Sequence, residues 1–276
     1  MSASKLQLSR TFGALKDRNF RLLWSASILA SASRFMEATL LAWLVLDMTD
    51  SPWQVAVVGF FGWAPLLLLG LIGGALADSL DRKRLYRTVL SVNLATALAL
   101  AAVLAGDLVQ VWHAFLAMLV SGSAYALGMP SRRTLIHDIV GRSRVTNAVA
   151  LDNLARNASG VIGPSLAGAL ITWGSVTAGY AAVAVFYLAS LILLWRLHAP
   201  TRERSRLSGA LIAGNLVLGL KYVSGHRTLL ATVLIAFVMN LFVTPYRQMV
   251  PVVARDTLRV PPGLMGILMS AHEFGS

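Results

Sequence analysis

Residues 20–46 read FRLLWSASILASASRFMEATLLAWLVL. As an α-helix at about 1.5 Å per residue this run extends about 40 Å, more than the ~30 Å hydrocarbon core of a bilayer. Near its middle stand two opposite charges, Arg34 and Glu37. Three residues apart, they share one helix face and can pair with each other or with a common partner. An arginine at that depth costs about 2.5–3.5 kcal/mol on insertion scales, which makes the pair a functional candidate by default. Mutual neutralisation within a packed bundle is the structural alternative, and the residues alone leave both open.

The rest of the chain supports a membrane reading. Of 276 residues, 57% are hydrophobic and 13% charged, with a mean hydropathy of +0.68. That balance is too apolar for an ordinary soluble domain. The net charge of +12 invites a nucleic-acid reading, but the Lys and Arg recur in short clusters between apolar runs and do not gather on one patch. No nucleic-acid partner is expected. With no cysteine, disulfides, cysteine nucleophiles and thiolate metal sites are excluded. The five histidines, at 113, 137, 198, 226 and 272, show no metal-ligand spacing. No metal, cofactor or enzymatic activity is expected.

Runs long enough to cross a bilayer as helices fall near 20–46, 53–77, 85–105, 111–130, 147–172, 176–196 and 228–250. Their joints alternate in charge. None of 47–53, 106–111 and 173–178 holds Lys or Arg, whereas the joints between carry Arg82, Lys83, Arg84 and Arg87, then Arg132, Arg133, Arg142 and Arg144. The positive-inside rule then puts the N-terminus and the basic joints in the cytoplasm. Trp24 and Trp195 fall near that face and Trp43, Trp53, Trp112 and Trp173 near the other, as an interfacial belt does, while Trp63 lies deep.

Three segments follow: a six-helix bundle over 1–196, a basic linker with an amphipathic helix over 197–227, and the start of a second bundle over 228–276. The linker's Leu207, Leu211, Leu218 and Tyr222 recur at helical spacing, and an extra crossing there is the alternative. The closing GLMGILMSAHEFGS opens another apolar helix and stops after 14 residues, short of the ~20 a crossing needs, so an eighth helix is expected to be cut off.

The joint after the second run reads GGALADSLDRKR (73–84). Gly74, one turn before Asp78, permits a close helix approach, and Asp78 with Arg82, Lys83 and Arg84 can form charge pairs that hold one arrangement of the bundle. A plain positive-inside loop is the bland alternative. The spacing resembles the signature loop of the major facilitator superfamily, G-x-x-x-D-R-x-G-R-[RK]-[RK], with Ser79 in place of the first basic residue and Asp81 in place of the second glycine. The chain looks most like the branch of enterobactin exporters and transmembrane secretion effectors. DRNFRLLWSASILASASRFM (17–36), MPSRRTLIHDIV (129–140) and NAVALDNLARNASGVIGPSLAG (147–168) carry that likeness as well.

In the fifth run Ser159, Gly163 and Ala167 form one stripe of small residues and Gly160, Pro164 and Gly168 another, which suits backbone-to-backbone packing and a bend. Gly163, Pro164 and Gly168 also resemble the glycine–proline motif of antiporters in the superfamily, which implies export. Arg156 can snorkel to the interface, and Asn157 can face a cavity or tie two helices together. In the fourth run Met118 stands where proton-coupled drug exporters carry an arginine, so coupling through that arginine is excluded. An arginine at position 34 is unusual among the resembling sequences.

The expectation is an all-α, polytopic transmembrane bundle: the N-terminal six-helix half of a major facilitator fold, helix seven and part of helix eight. The resemblance implies a proton-coupled exporter of a small molecule in a bacterial plasma membrane, working by alternating access, with Arg34, Glu37, Arg156 and Asn157 as transport or coupling candidates. Its partners would be the lipid bilayer, a small-molecule substrate, protons, and a missing C-terminal half or partner subunit. A truncated, non-transporting half or assembly partner, or an uptake transporter for a small solute, are the alternatives.

Overall fold

The computed structural model describes residues 13–198, 222, 224–232, 234–235 and 249–274, leaving out the side chains of 67–68, 71–72, 75–79 and 272–274. After a short 3-10 turn, Gly13–Lys16, come α1 (Arg18–Thr49), α2 (Pro52–Ser79), α3 (Arg82–Ala105), α4 (Val111–Val140), α5 (Val145–Trp173) and α6 (Val176–Trp195). Beyond them lie a π-helical turn, Val253–Thr257, and α7 (Pro262–Phe274). The expected run 228–250 and the linker helix lie largely outside the described residues.

Helix starts follow local chemistry. The Asp17 carboxylate accepts from the N–H groups of Asn19 at 2.8 Å and Phe20 at 3.2 Å, satisfying donors that have no partner inside α1. Asp81 does the same for α3, accepting from the Arg84 N–H at 2.8 Å, and Ser175 for α6. So the aspartate that replaces a glycine in the signature loop is a helix cap.

The helices also outrun their apolar cores. α4 continues through Met129-Pro-Ser-Arg-Arg to Val140, where hydropathy placed a basic joint. Hydropathy reports the surrounding solvent, while helix formation needs only satisfied backbone bonds and partnered side chains. Arg132 pairs with Asp152 on α5, both side chains largely buried, and Arg82 pairs with Asp138 on α4. The joint shrinks to Gly141–Arg144, where Gly141 takes a left-handed φ of 70° that glycine alone adopts freely.

The packing partners reveal a repeat. α1 lies against α5 and α6, and α4 against α2 and α3; α1 also touches α2 as α4 touches α5, while α1 meets α4 and α3 meets α6. Exchanging α1–α3 with α4–α6 leaves this pattern unchanged. Three is an odd number of crossings, so the second triplet enters from the opposite side and the repeat is inverted. Small residues permit matching crossings: a Cβ on Gly163 of α5 would sit 2.9 Å from the Ala32 carbonyl of α1, and one on Gly122 of α4 would sit 2.7 Å from the Gly62 carbonyl of α2. By contrast, among the described residues nothing lies within 4 Å of a Cβ on Gly74; the close approach of that stretch belongs to Gly73, 2.5 Å from the Ala126 carbonyl. One residue turns a helix face by about 100°, so the neighbour carries the contact.

The outside of the bundle is apolar, with Trp53, Phe60, Leu98, Leu116, Leu154, Ile162, Trp173, Val185 and Trp195 exposed. A soluble protein rarely exposes so continuous an apolar surface, whereas lipid requires it. Among the described residues four helices, α1, α3, α4 and α6, are by length and composition apolar enough to cross a membrane. α5 carries Asn147, Asp152, Asn153, Arg156 and Asn157 in its first half, which lowers its hydropathy without preventing its packing.

α7 runs along the second half of α5. A Cβ on Gly168 would lie 2.4 Å from the Pro262 carbonyl, and one on Gly266 2.3 Å from the Pro164 carbonyl. The Ser270 hydroxyl donates to the Val161 carbonyl at 2.7 Å and lies 2.8 Å from that of Ser165. Thus Pro164, which frees a backbone acceptor in its own helix, and Gly168 form a seat for another helix. Gly266→Leu is expected to force α7 off α5 and to destabilise the protein by about 1–3 kcal/mol, the usual cost of overpacking. The thermal unfolding midpoint in detergent checks this; an unchanged midpoint would contradict so tight a crossing.

Candidate transport site

Arg34 and Glu37 do not pair directly. They meet through Ser121 of α4, whose hydroxyl donates to Glu37 Oε2 at 2.7 Å, while Arg34 Nη1 donates to the Ser121 carbonyl at 3.2 Å and reaches its Oγ at 3.4 Å. Arg34 Nη2 donates to the Gly62 carbonyl at 3.1 Å. The α2–α4 crossing at Gly62 and Gly122 brings those two carbonyls within reach of one guanidinium. Arg34 also sits 4.2 Å over the Tyr125 ring and 5.9 Å from that of Trp63, both attractive placements for a cation over a π face. The deep tryptophan thus serves the charge site.

Glu37 is 1% exposed. Besides Ser121, the buried hydroxyls of Tyr180 and Tyr187 on α6 lie within electrostatic reach of its carboxylate. Among the described residues neither the Tyr187 nor the Tyr180 hydroxyl closes a hydrogen bond of good geometry. A buried carboxylate with one hydroxyl donor and a guanidinium nearby is a candidate proton site.

Beside this cluster, α1, α3, α4, α5 and α6 line a cavity of about 50 Å³, room for roughly three to five waters at ~10–15 Å³ each. Arg34, Tyr86, Asn93, Tyr125, Arg132, Arg156 and Tyr187 line it. Arg132 has Asp152 as its counter-ion, and Arg156 donates to the Asn153 side-chain oxygen at 3.3 Å. Asn93 Oδ1 and the Tyr187 hydroxyl have no hydrogen-bond partner among the described residues. Buried polar atoms are nearly always satisfied, so these two mark where a polar guest or ordered water fits. Arg156 therefore reaches the central cavity; Asn157 is not among the residues lining it.

The basic end carries the signature loop. Arg82 is tied to Asp138, the Lys83 ammonium donates to the Leu197 carbonyl beyond α6, and the Asp78 side chain lies outside the described residues. At the opposite end Arg255 donates to the Leu46 carbonyl at 3.0 Å and to the Asp50 carboxylate, fastening the Val253–Thr257 turn to α1. His113 there has the role of a helix anchor: its Nδ1 accepts from the Gln110 N–H at 2.9 Å and its ring stacks on Trp112 at 3.8 Å. Met118, buried, touches the α2 backbone at Gly62, a packing duty.

Sequence reasoning missed Ser121, Tyr125, Tyr180, Tyr187, Asp138 and Asp152. Polar residues inside apolar runs were the available signal; their partners were not.

The comparisons with known proteins agree with this architecture. The chain is 31% identical over 212 residues to the multidrug efflux pump Tap of Mycolicibacterium fortuitum, covering 73% of this chain and 51% of that one. It is 26% identical over 179 residues to the staphyloferrin A transporter of Staphylococcus aureus (64% and 45%) and 29% identical over 208 to the enterobactin exporter EntS of Salmonella typhimurium (70% and 48%). It spans about half the length of the curated relatives it matches. Among solved structures, a peptide transporter with bound sulfate superposes with a TM-score of 0.58 at 18% identity, over 85% of this chain and 49% of that one. A D-xylose–proton symporter gives 0.57 at 15%, over 93% and 65%. These two show the fold. The model of the transmembrane secretion effector family matches residues 9–276, and with the inverted repeat and the apolar exterior this places the chain in that family of the major facilitator superfamily of multi-pass membrane transporters.

Proposed function

We propose that this chain supplies the N-terminal bundle of a proton-driven exporter of a small molecule, an antiporter, which works by alternating access. The carrying observation is the Arg34–Ser121–Glu37 chain beside a polar, arginine-rich cavity at the bundle centre, because buried ionisable groups at a repeat interface are where such transporters bind ions and substrates. Glu37 is the proton carrier, and Arg34, Asn93, Arg156 and Tyr187 face the substrate. The names of two relatives, a multidrug efflux pump and an enterobactin exporter, support efflux over uptake, and a staphyloferrin A transporter adds a second siderophore to the candidate substrates.

Alternating access needs two bundles rocking about a shared site. The reading therefore requires a second bundle, from further chain or a partner subunit, and α7 is the first element of it that meets α5. Their contacts, like Arg255 on α1, lie in the half remote from the basic loops. With the N-terminus and basic loops in the cytoplasm of a bacterial inner membrane, this is a state closed outside. A non-transporting half is the second reading, and the intact mass of the product from native membranes separates the two. A mass well above 29.6 kDa supports the exporter; a match turns the search to a partner.

The flux test uses everted membrane vesicles of the native source, enterobactin and staphyloferrin A as probes, and an imposed pH gradient. Uptake into vesicles that collapses with a protonophore is expected, and no response to the gradient would remove proton coupling. In the same assay Asp78→Asn is expected to slow flux several-fold at unchanged membrane abundance. Unchanged flux would strip the signature loop of its gating role.

A further inference from the structure

At the basic end a groove of about 590 Å³ opens on the outer face between α3 and α6, lined by Arg84, Arg87, Thr88, Ser91, Val92 and Trp195. We infer that it is a binding site for an anionic phospholipid, with the phosphate between Arg84 and Arg87 and an acyl chain laid along α3 and α6. The inference depends on membrane insertion and not on transport.

Among the described residues neither arginine has a carboxylate partner, and no acidic residue lines the groove. Neighbouring cations are spoken for: Lys83 donates to the Leu197 carbonyl and Arg82 to Asp138. Arg87 lies 5.3 Å over the Trp195 ring, a placement that keeps the guanidinium edges free for an anion. Trp195 is 65% exposed, as a residue at the headgroup level is. Thr88 and Ser91 add hydroxyls suited to phosphate or glycerol oxygens.

The apolar part selects lipid over free phosphate. From the groove one helical stripe runs along α3 through Val92 to Leu98, and another along α6 through Ile192 and Leu188 to Val185; all are exposed. Spacings of three and four residues put Trp195, Ile192, Leu188 and Val185 on one face of α6, and steps of three carry the α3 track from Val92 through the exposed Ala95 to Leu98. The two point away from the basic end, as acyl chains do from a headgroup. A basic pocket between helices joined to an apolar track is a recurring lipid-recognition arrangement.

The test is native mass spectrometry of the purified full chain loaded with equal amounts of phosphatidylglycerol and phosphatidylcholine. At least about tenfold preferential retention of phosphatidylglycerol is expected, lost in Arg84→Gln/Arg87→Gln. Arg142→Gln/Arg144→Gln removes the same charge from the exposed α4–α5 joint and should retain the preference. Leu98→Ser/Ile192→Ser leaves both arginines and should weaken retention of the full-length lipid. Equal retention of the two lipids overturns the site, as does equal loss in the joint variant. Displacement by glycerol 3-phosphate at equal concentration would show that the phosphate alone binds, against a lipid site.

Discussion

Glu37→Gln is expected to cut proton-driven flux by at least about tenfold and to abolish its dependence on pH, while exchange of labelled for unlabelled substrate persists. The glutamine oxygen can still accept from the Ser121 hydroxyl, now 2.7 Å from the carboxylate, so the substitution keeps shape and removes the proton. Bonds to a charged group are worth about 1.5–3 kcal/mol, or roughly tenfold to a hundredfold in an equilibrium. That difference would no longer separate the protonated and unprotonated states. Flux and exchange, measured across pH in everted vesicles, decide. A variant that keeps the native pH profile would return Glu37 to a structural role. Ser121→Ala, which deprives the carboxylate of its donor and keeps its charge, is the companion variant: reduced flux with pH dependence intact.

The second large effect is one of stability. Asp152→Leu is expected to destabilise the bundle by about 3–5 kcal/mol, because it leaves the Arg132 guanidinium charged and buried without its partner. Removing both charges in Arg132→Met/Asp152→Leu should recover most of that loss, since a buried ion pair and a well-filled apolar contact come out nearly equal. Thermal unfolding midpoints of the three proteins in one detergent, read by tryptophan fluorescence, complete the comparison. A double variant no more stable than the single one would mean that the helix ends depend on Asp152 by some route other than its pairing with Arg132.

Much of the architecture was legible because it is a one-dimensional property. A run such as 20–46 is long and apolar, and a chain whose backbone groups must be satisfied in lipid has only the helix available for it. The loop signature at 73–84, the small-residue stripes at 159–168 and the charge alternation of the joints are likewise readable in order along the chain. The reading failed where residues act by partner. Arg132 was assigned to a basic joint because charge alone was counted, whereas Asp152 on another helix keeps it inside α4. Arg156 was open to two readings, snorkelling or a transport role, and only the packing of five helices brings it to the central cavity. The close approach assigned to Gly74 belongs to Gly73, because a rotation of one residue about a helix axis is invisible until a second helix fixes the phase.

By itself, then, the sequence determined a bundle of membrane helices, with Arg34 and Glu37 near the middle of the first, since burial in lipid constrains length and composition residue by residue; the major facilitator kind came from the resemblance of the loop at 73–84. Only the tertiary structure decided that Ser121 joins those two charges, that Tyr180 and Tyr187 of α6 are buried within electrostatic reach of the carboxylate, and that Pro164 and Gly168 hold α7. Those contacts join positions far apart in the chain, 84 residues for Ser121 and Glu37 and 109 for Ser270 and Val161, and no local periodicity encodes which face of one helix meets which face of another.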